Sequence, residues 1–170
     1  MQSIGIFPGT FNPIHEGHVA FALESLRACH LDKVIFIPEQ SPRYKTGVPD
    51  VEVRAARMRQ AISEYENKLE VVVLDQVRFT VSDTLPELHR LLGDASITLL
   101  IGTDVARGLV DWANIDQLAK EVSFAIGMRQ DDTADICEAI QQRVEAKTGS
   151  SMRVTCIATA FSHVSSSQFR

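Results

Sequence analysis

The sequence is poor in the residues and runs that mark several large classes of protein. It has only 3 cysteines among 170 residues. Cys29, Cys137 and Cys156 lie too far apart in the chain to predict a disulfide framework or a CxxC metal site. No apolar stretch approaches the roughly 20 residues that cross a bilayer, and the first residues lack the basic and apolar regions of a secretory signal. We therefore expect a soluble protein of the reducing cytoplasm.

Basic residues are also in the minority, which bears on the partner. The chain has 17 Lys and Arg against 22 Asp and Glu, a formal net charge of −5 and a pI near 5.5. A polynucleotide partner usually requires a basic face, so we expect no polynucleotide partner. The lack of a long apolar run likewise predicts no membrane partner. With 45% hydrophobic residues and only 9 glycines and 6 prolines, the composition predicts a single domain over residues 1–170.

Six short apolar runs alternate with segments of helical spacing. The runs cover residues 3–7, 33–37, 71–74, 97–101, 122–126 and 152–157. Because they are continuously apolar, they predict strands that are buried on both faces. This pattern predicts an α/β fold: a doubly wound, Rossmann-like parallel sheet covered by helices on both faces. In such sheets, ligands bind at the carboxyl ends of the strands, near the point where the strand order reverses.

Two helices can be described further from the same spacing. In the helix after the first strand, the spacing places Val19, Leu23 and Leu26 on one face. A later helix contains several leucines and is preceded by Ser82 and Asp83, either of which could cap it.

The loop after the first predicted strand carries the strongest chemical signal. Residues 9–18 read Gly-Thr-Phe-Asn-Pro-Ile-His-Glu-Gly-His and lead into a helix. The first glycine permits close approach of the backbone, and the amides of a helix N-terminus carry partial positive charge, which suits phosphate. His15 and His18, three residues apart, meet on one side of the helix start. There, imidazoles can donate hydrogen bonds to phosphate oxygens near neutral pH.

Other interpretations of this histidine pair are weaker. A single histidine is more often a packed or surface residue than a catalyst. A zinc site needs one or two further ligands, but His30, His89 and His163 are scattered along the chain. The loop is not a Walker A loop, since no Gly-Lys-Ser/Thr follows, and its glycines are misplaced for a GxGxxG loop. We therefore predict no metal held by the protein itself.

The complete pattern in this loop, G-x-F-x-P-x-H-x-G-H, resembles the signature of the nucleotidyltransferase superfamily that shares the HxGH motif. The resemblance implies that His15 and His18 are catalytic. It also implies that both histidines bind ATP together with Gly9, Thr10 and Phe11.

A second element of that superfamily, I-S-S-T-x-I-R at a helix start, is similar to residues 164–170. By itself, a serine cluster is usually part of a flexible tail. Its position after the sixth predicted strand matches the order in the superfamily, which implies that Ser165, Ser166 and Arg170 hold triphosphate oxygens of ATP.

Further segments are similar to bacterial nicotinate-nucleotide adenylyltransferase. Residues 38–45 resemble that family's P-x-x-x-P-P-H-K loop, which implies that Lys45 contacts phosphate. Residues 83–85 resemble the end of its Y-T-x-D-T-L segment, which implies that Thr84 contributes to the mononucleotide site.

One longer stretch of the sequence also resembles nicotinate-nucleotide adenylyltransferase. Residues 100–104 followed by Trp112 resemble its I-I-G-x-D…W pattern, and Arg129 fits its V-P-R-P segment. The resemblance implies that Gly102 and Asp104 bind ATP, with Asp104 at the ribose hydroxyls, and that Trp112 stacks on the pyridine ring of the mononucleotide. Without the resemblance, Asp104 could be a helix cap and Trp112 an ordinary packing residue.

Two departures from the family concern the acceptor. Ala113 follows the tryptophan where the family has histidine or tyrosine, and one extra residue separates Phe79 from Asp83. Both lie where the substituent of the pyridine ring would be recognised. The sequence therefore does not decide between nicotinate and nicotinamide.

Taken together, the resemblance implies an enzyme that transfers the adenylyl group of ATP, with Mg²⁺, to nicotinate or nicotinamide mononucleotide and releases pyrophosphate. Two alternatives stay open. One is adenylyl or cytidylyl transfer to another phosphate acceptor, such as 4′-phosphopantetheine. The other is a nucleotide-binding module without catalysis.

Overall fold

The computed structural model describes residues 1–40 and 47–159. The strands in these ranges are β1 (Ser3–Gly9), β2 (Lys33–Pro38), β3 (Leu69–Val71), β4 (Ser96–Gly102), β5 (Val122–Gly127) and β6 (Val154–Ile157). The helices are α1 (Glu16–Ala28), α2 (Val51–Ala61), α3 (Val81–Leu92), α4 (Thr103–Ala106), α5 (Ile115–Glu121) and α6 (Ile136–Thr148), with 3₁₀ turns at Ser63–Tyr65 and Leu109–Asp111. In this part of the chain, no helix has both the length and the apolar character that crossing a membrane requires.

The strands form one parallel sheet in the order β3-β2-β1-β4-β5-β6. The order reverses at β1, where Ile6 lies opposite Ile35 of β2 on one side and Leu99 of β4 on the other. The switch point therefore lies between β1 and β4, which end at Gly9 and Gly102. The predicted doubly wound parallel sheet is confirmed.

Alternate side chains of the central strands enter two separate cores. Ile6 and Leu99 belong to the core that also contains apolar residues of α3, α5 and α6. Phe7 and Leu100 belong to the other core, which contains residues of α1 and α2. Because each buried side chain contributes roughly 1.5–3 kcal/mol, apolar residues are favoured at every position of these strands. This explains why the runs are continuous instead of alternating.

One local prediction agrees with the structure and another is wrong by a few residues. Val19, Leu23 and Leu26 are half-buried and all pack against the same core as the buried Phe21 and Ala22 of α1. The ring of Phe21 lies over Gly127, so close that a Cβ there would be 3.0 Å from it, and this contact sets the inward face. The third strand ends at Val71 because it is an edge strand that pairs only with Val34–Phe36 of β2.

The predicted caps of α3 are also wrong. The cap is Thr80, whose Oγ1 accepts a hydrogen bond from the amide of Asp83 at 3.2 Å. A threonine hydroxyl serves this purpose as Ser82 or Asp83 would, and the helix begins earlier than the leucine spacing indicates. Thr80, and not Ser82 or Asp83, therefore sets the first turn of α3.

The fold joins two cysteines that their spacing does not connect. The sulfurs of Cys137 and Cys156 are 2.06 Å apart and form a disulfide across 19 residues of sequence. Cys137 lies in the first turn of α6, and Cys156 lies on β6, the strand that follows this helix. The expectation that the three cysteines form no disulfide is wrong, because spacing in the chain does not report how a helix packs on the next strand.

Candidate active site

The loop between β1 and α1 is organised by its two histidines. His15 is the N-cap of α1, and its Nδ1 accepts a hydrogen bond from the amide of Gly17 at 3.0 Å. In return, the amide of His15 donates to Nδ1 of His18 at 3.1 Å. Helix starts leave amides without partners, and here imidazoles satisfy two of them. The motif spacing therefore forms the cap and places both rings at the helix start, as the sequence predicts.

These hydrogen bonds fix the tautomer of both rings. A nitrogen that accepts from an amide cannot carry a proton, so the neutral ring is protonated at Nε2. Burial lowers the pKa of His15 below its ordinary value of 6.5, and the positive charge of Arg129 lowers it further. Near neutral pH, His15 is therefore an uncharged ring that presents an Nε2–H donor.

A cluster of aromatic rings supports the loop from below. The ring of Phe11 lies 5.1 Å from that of Phe7 and 5.0 Å from that of His18, both edge-on. Phe11 has a φ of +51° and is only 3% exposed, so burial of its ring compensates for an unfavourable backbone conformation. At Gly9 a Cβ would stand 3.1 Å from the Phe11 ring. The first glycine of the motif therefore leaves room for this ring.

A cleft of about 930 Å³ opens above this loop, at the carboxyl ends of β1, β4 and β5. Most of the sequence-predicted site residues line it. These are Gly9, Thr10, Phe11, His15, His18, Gly102, Asp104 and Trp112. The cleft therefore lies at the switch point, where the fold predicts a ligand.

Among the described residues, one predicted site residue does not line the cleft, Thr84. Thr84 is 1% exposed, and its Oγ1 accepts from the amide of Thr80 at 2.9 Å, within the first turn of α3. Thr84 therefore does not line the cleft in this structure, whereas Thr80 and Ser82 do. The assignment of Thr84 to the mononucleotide site stays a prediction. The other four predicted residues lie outside the described residues and are Lys45, Ser165, Ser166 and Arg170.

Asp104 lies in a network of ionic contacts at the mouth of the cleft. Its two oxygens accept from Arg107 at 3.2 Å and from Arg129 at 3.3 Å. The side chain of Asp104 nevertheless remains 61% exposed, so its carboxylate is accessible to a ligand in the cleft.

Behind Asp104 lies a second carboxylate, Asp132, which the sequence analysis missed. It accepts from the hydroxyl of Thr103 at 2.6 Å, from the amide of Arg129 at 2.7 Å and from Arg107 at 2.9 Å. Burial raises the pKa of Asp132, but these three hydrogen bonds lower it by more, so the net pKa is below the ordinary value. Its position three residues after Arg129 is the only signal in the sequence.

The opposite wall of the cleft is aromatic. The rings of Trp112 and Phe79 are 6.1 Å apart and inclined by 45°, and both line the cleft. Helix α3 begins directly after Phe79, with Thr80 as its N-cap. A flat ring placed against Trp112 would therefore lie near the positive end of a helix.

A doubly wound sheet with an imidazole-lined cleft at its switch point is the architecture of a nucleotide-binding enzyme. The chain belongs to the cytidylyltransferase-like family, whose sequence model matches residues 6–170.

Its curated relatives carry a more particular name. A "probable nicotinate-nucleotide adenylyltransferase" of Shouchella clausii is 35% identical over 130 residues, which are 73% of this chain and 67% of that protein. A protein of the same name from Clostridium novyi is 31% identical over 152 residues, 86% of this chain and 76% of that protein. The resemblance to nicotinate-nucleotide adenylyltransferases is therefore confirmed over most of the chain.

Solved structures share the fold. Plasmodium falciparum nicotinic acid mononucleotide adenylyltransferase complexed with NaAD has a TM-score of 0.77 at 18% identity, over 99% of this chain and 82% of that chain. The same protein complexed with APC has a TM-score of 0.78 at 16% identity, with the same coverage. At these identities the likeness concerns the fold alone.

Proposed function

We propose that this chain transfers the adenylyl group of ATP to nicotinate mononucleotide, or to nicotinamide mononucleotide, and releases pyrophosphate. The observation that carries the proposal is the position of His15 and His18, whose Nδ1 atoms are held by the start of α1 at the floor of the cleft. The names of the relatives supply the acceptor. We propose the cytoplasm as the location of the reaction.

The proposed reaction requires no general base from the protein. The nucleophile is the phosphate of the mononucleotide, which is largely dianionic at pH 7 because its second pKa is about 6. It attacks the α-phosphorus of ATP in line; a new P–O bond forms as the bond to the β-phosphate oxygen breaks, and pyrophosphate leaves. Since the nucleophile has no proton to lose, the protein's task is to position the phosphates and to neutralise charge.

Within the cleft we assign roles by chemistry. The Nε2–H of His18 donates to an oxygen of the transferring phosphate, where charge develops. His15 orients the triphosphate together with Thr10, since both line the cleft at the first loop. The exposed carboxylate of Asp104 suits the ribose hydroxyls, with Gly102 beside it.

The remaining phosphate contacts rest on the resemblance alone. Lys45 is assigned to a phosphate, and Ser165, Ser166 and Arg170 to the β- and γ-phosphates. Mg²⁺ belongs to the proposal as the counterion of ATP and, when bound, neutralises phosphate charge. The described residues include no group of three His, Cys, Asp or Glu side chains that could hold a metal. Magnesium commonly binds substrate phosphates and keeps several waters, and we propose that it would do so with ATP here.

The aromatic wall suits the acceptor. A pyridine ring stacked on Trp112 would place its substituent near the start of α3, where Thr80 and Ser82 line the cleft. The partial positive charge of a helix N-terminus favours a carboxylate over an amide. This argues for nicotinate over nicotinamide as the preferred substituent.

The decisive experiment is a pyrophosphate-release assay with several acceptors and two nucleotides. Nicotinate mononucleotide, nicotinamide mononucleotide and 4′-phosphopantetheine are each tested with ATP and with CTP. We expect the highest kcat/KM with ATP and nicotinate mononucleotide. Faster release with phosphopantetheine or CTP would support the alternative acceptor or nucleotide. ATP binding without release in any combination would support a non-catalytic module.

A further inference from the structure

Arg54 is an arginine buried where no substrate could reach it. It lies in the first turn of α2 and is 1% exposed, and it is not among the residues that line the cleft. Among the described carboxylates, none forms an ion pair with it. Burial lowers the pKa of Arg54, while Asp50 and Glu39 act in the opposite direction from a longer distance. A buried guanidinium without an ion pair needs hydrogen-bond acceptors to compensate for its loss of solvation.

Within residues 1–40 and 47–159, its hydrogen-bond partners are three backbone carbonyls from three separate stretches of chain. Nε donates to Pro49 at 2.8 Å, Nη1 to Thr10 at 2.8 Å and Nη2 to Gln40 at 3.2 Å. Thr10 belongs to the histidine loop, Gln40 follows β2, and Pro49 precedes α2. The planar guanidinium presents its donors at fixed angles, so it determines the distances between these three carbonyls.

The loop after β2 is joined to the cleft by further hydrogen bonds. The amide of Glu39 donates to the carbonyl of Gly9 at 2.9 Å, and its Oε2 accepts from the amide of Phe79 at 3.1 Å. Glu39 and Phe79 both line the cleft. Arg54 therefore lies behind a continuous set of contacts between the phosphate loop and the aromatic wall.

We propose that Arg54 is a positioning residue that holds the histidine loop at its working distance from the loop after β2, and so governs the binding and alignment of ATP. This rests on the proposed function in that the histidine loop is taken to bind the triphosphate. Arg54 acts through the carbonyl of Thr10, two bonds from the Phe11 amide, and touches no reacting atom. A purely structural arginine would stabilise α2 without affecting the geometry of the histidines.

The test uses Arg54→Lys and Arg54→Met, with Arg57→Lys as the matched control. Arg57 lies one turn later on α2 and is exposed. A lysine has one ammonium group and cannot span three carbonyls. The Arg54→Lys variant should therefore not retain wild-type activity. We expect both Arg54 variants to lower kcat at least tenfold and to raise KM for ATP more than KM for the mononucleotide. Arg57→Lys should match the wild type.

A second measurement is independent of catalysis. The ring ¹⁵N resonances of His15 and His18 are recorded without ligand in each variant. We expect them to shift in both Arg54 variants and not in Arg57→Lys, because the cap geometry follows the Thr10 carbonyl. Variants that lose stability but keep wild-type histidine resonances and a wild-type KM for ATP would overturn the proposal. A wild-type protein without adenylyl transfer would instead refute the proposed function, while the resonances still decide the role of Arg54.

If neither Arg54 variant folds, the wild-type protein supplies the test. The ¹⁵Nε resonance of Arg54 is followed as MgATP is added, with the Arg57 resonance as the internal reference. The proposal expects a shift at Arg54 that saturates together with the shifts of His15 and His18. Histidine shifts without any shift at Arg54 would overturn it. Absence of shifts at all three residues would also count against it, since ATP would then not engage the loop.

Discussion

The rings of His15 and His18 are stacked face to face, with centroids 3.7 Å apart and planes inclined by 22°. Nδ1 of each ring accepts a hydrogen bond from a backbone amide at the start of α1. The same two side chains therefore begin the helix and hold their Nε2 atoms in a fixed tautomer. Because Nδ1 of each ring accepts a hydrogen bond, Nε2 is the remaining nitrogen that can donate when the ring is neutral.

The first prediction separates the chemistry of His18 from its cap. We expect His18→Ala to lower kcat by roughly 10²–10³, the loss seen when a donor to the transition state is removed. His18→Asn can restore an acceptor for the His15 amide but has no imidazole Nε2–H. It should regain stability in thermal unfolding while activity stays low. A His18→Ala enzyme with wild-type turnover would remove this residue from the mechanism.

The second prediction concerns pH and His15. Its pKa is lower in the folded protein than the ordinary 6.5, so the unfolded chain binds more protons between these two values. The stabilising contribution of the neutral ring is complete above pH 6.5 and is lost as pH falls through the folded pKa. We expect the free energy of unfolding, measured by urea denaturation, to fall on acidification through this range.

The matched control for this effect is His15→Asn, since asparagine is a good N-cap with no proton to gain. The difference in stability between wild type and variant should shrink or reverse below pH 6.5. Parallel curves for the two proteins at all pH values would show that His15 does not contribute to the pH dependence.

The third prediction concerns the contact between Gly9 and Phe11. A Cβ at position 9 would lie 3.1 Å from the Phe11 ring, which must move and take the histidine loop with it. We expect Gly9→Ala to cost about 1–3 kcal/mol of stability, as overpacking does, and to raise KM for ATP.

Gly108→Ala provides the control for this substitution. The nearest atom to its added Cβ is the carbonyl oxygen of Val105 at 3.5 Å, an ordinary contact, and its φ of −90° suits any residue. Chemical denaturation of the two variants compares them directly. Equal stability would show that the Phe11 ring adapts freely and that the first glycine of the motif has another purpose.

The parts of the molecule that sequence reasoning predicted are those whose signal is local. The histidine loop occupies ten consecutive residues, and its helix start, its two rings and its cleft lie where the motif predicts them. The four central strands were predicted because burial on both faces makes their runs apolar, whereas the edge strands β3 and β6 contain exposed residues. The family and the fold were therefore both predictable from local sequence patterns, and both predictions are confirmed.

The residues that sequence reasoning missed act between distant segments. Arg54 joins carbonyls at positions 10, 40 and 49, and Asp132 joins the ends of β4 and β5. Neither residue has a distinct pattern along the chain, because the partners of Arg54 are backbone carbonyls and those of Asp132 come from segments at least 25 residues away in sequence or from a nearby amide. The position of Thr84 also depends on the local fold: Thr80 caps α3, and the Thr84 hydroxyl accepts from the Thr80 amide within the first turn.

The last prediction tests the acceptor through Trp112. Stacking of an aromatic pair adds about 0.5–1.5 kcal/mol beyond the burial of area, which corresponds to roughly 2–12-fold in affinity. We expect Trp112→Ala to raise KM for nicotinate mononucleotide by at least this factor and to change KM for ATP far less, while Trp112→Phe should recover most of the loss. The measurement is initial-rate kinetics with each substrate varied in turn. Because Phe79 lies 6.1 Å from Trp112, Phe79→Leu should produce a smaller change of the same kind. If Trp112→Ala affected both substrates equally, the indole would be a general part of the cleft wall and another acceptor would be favoured.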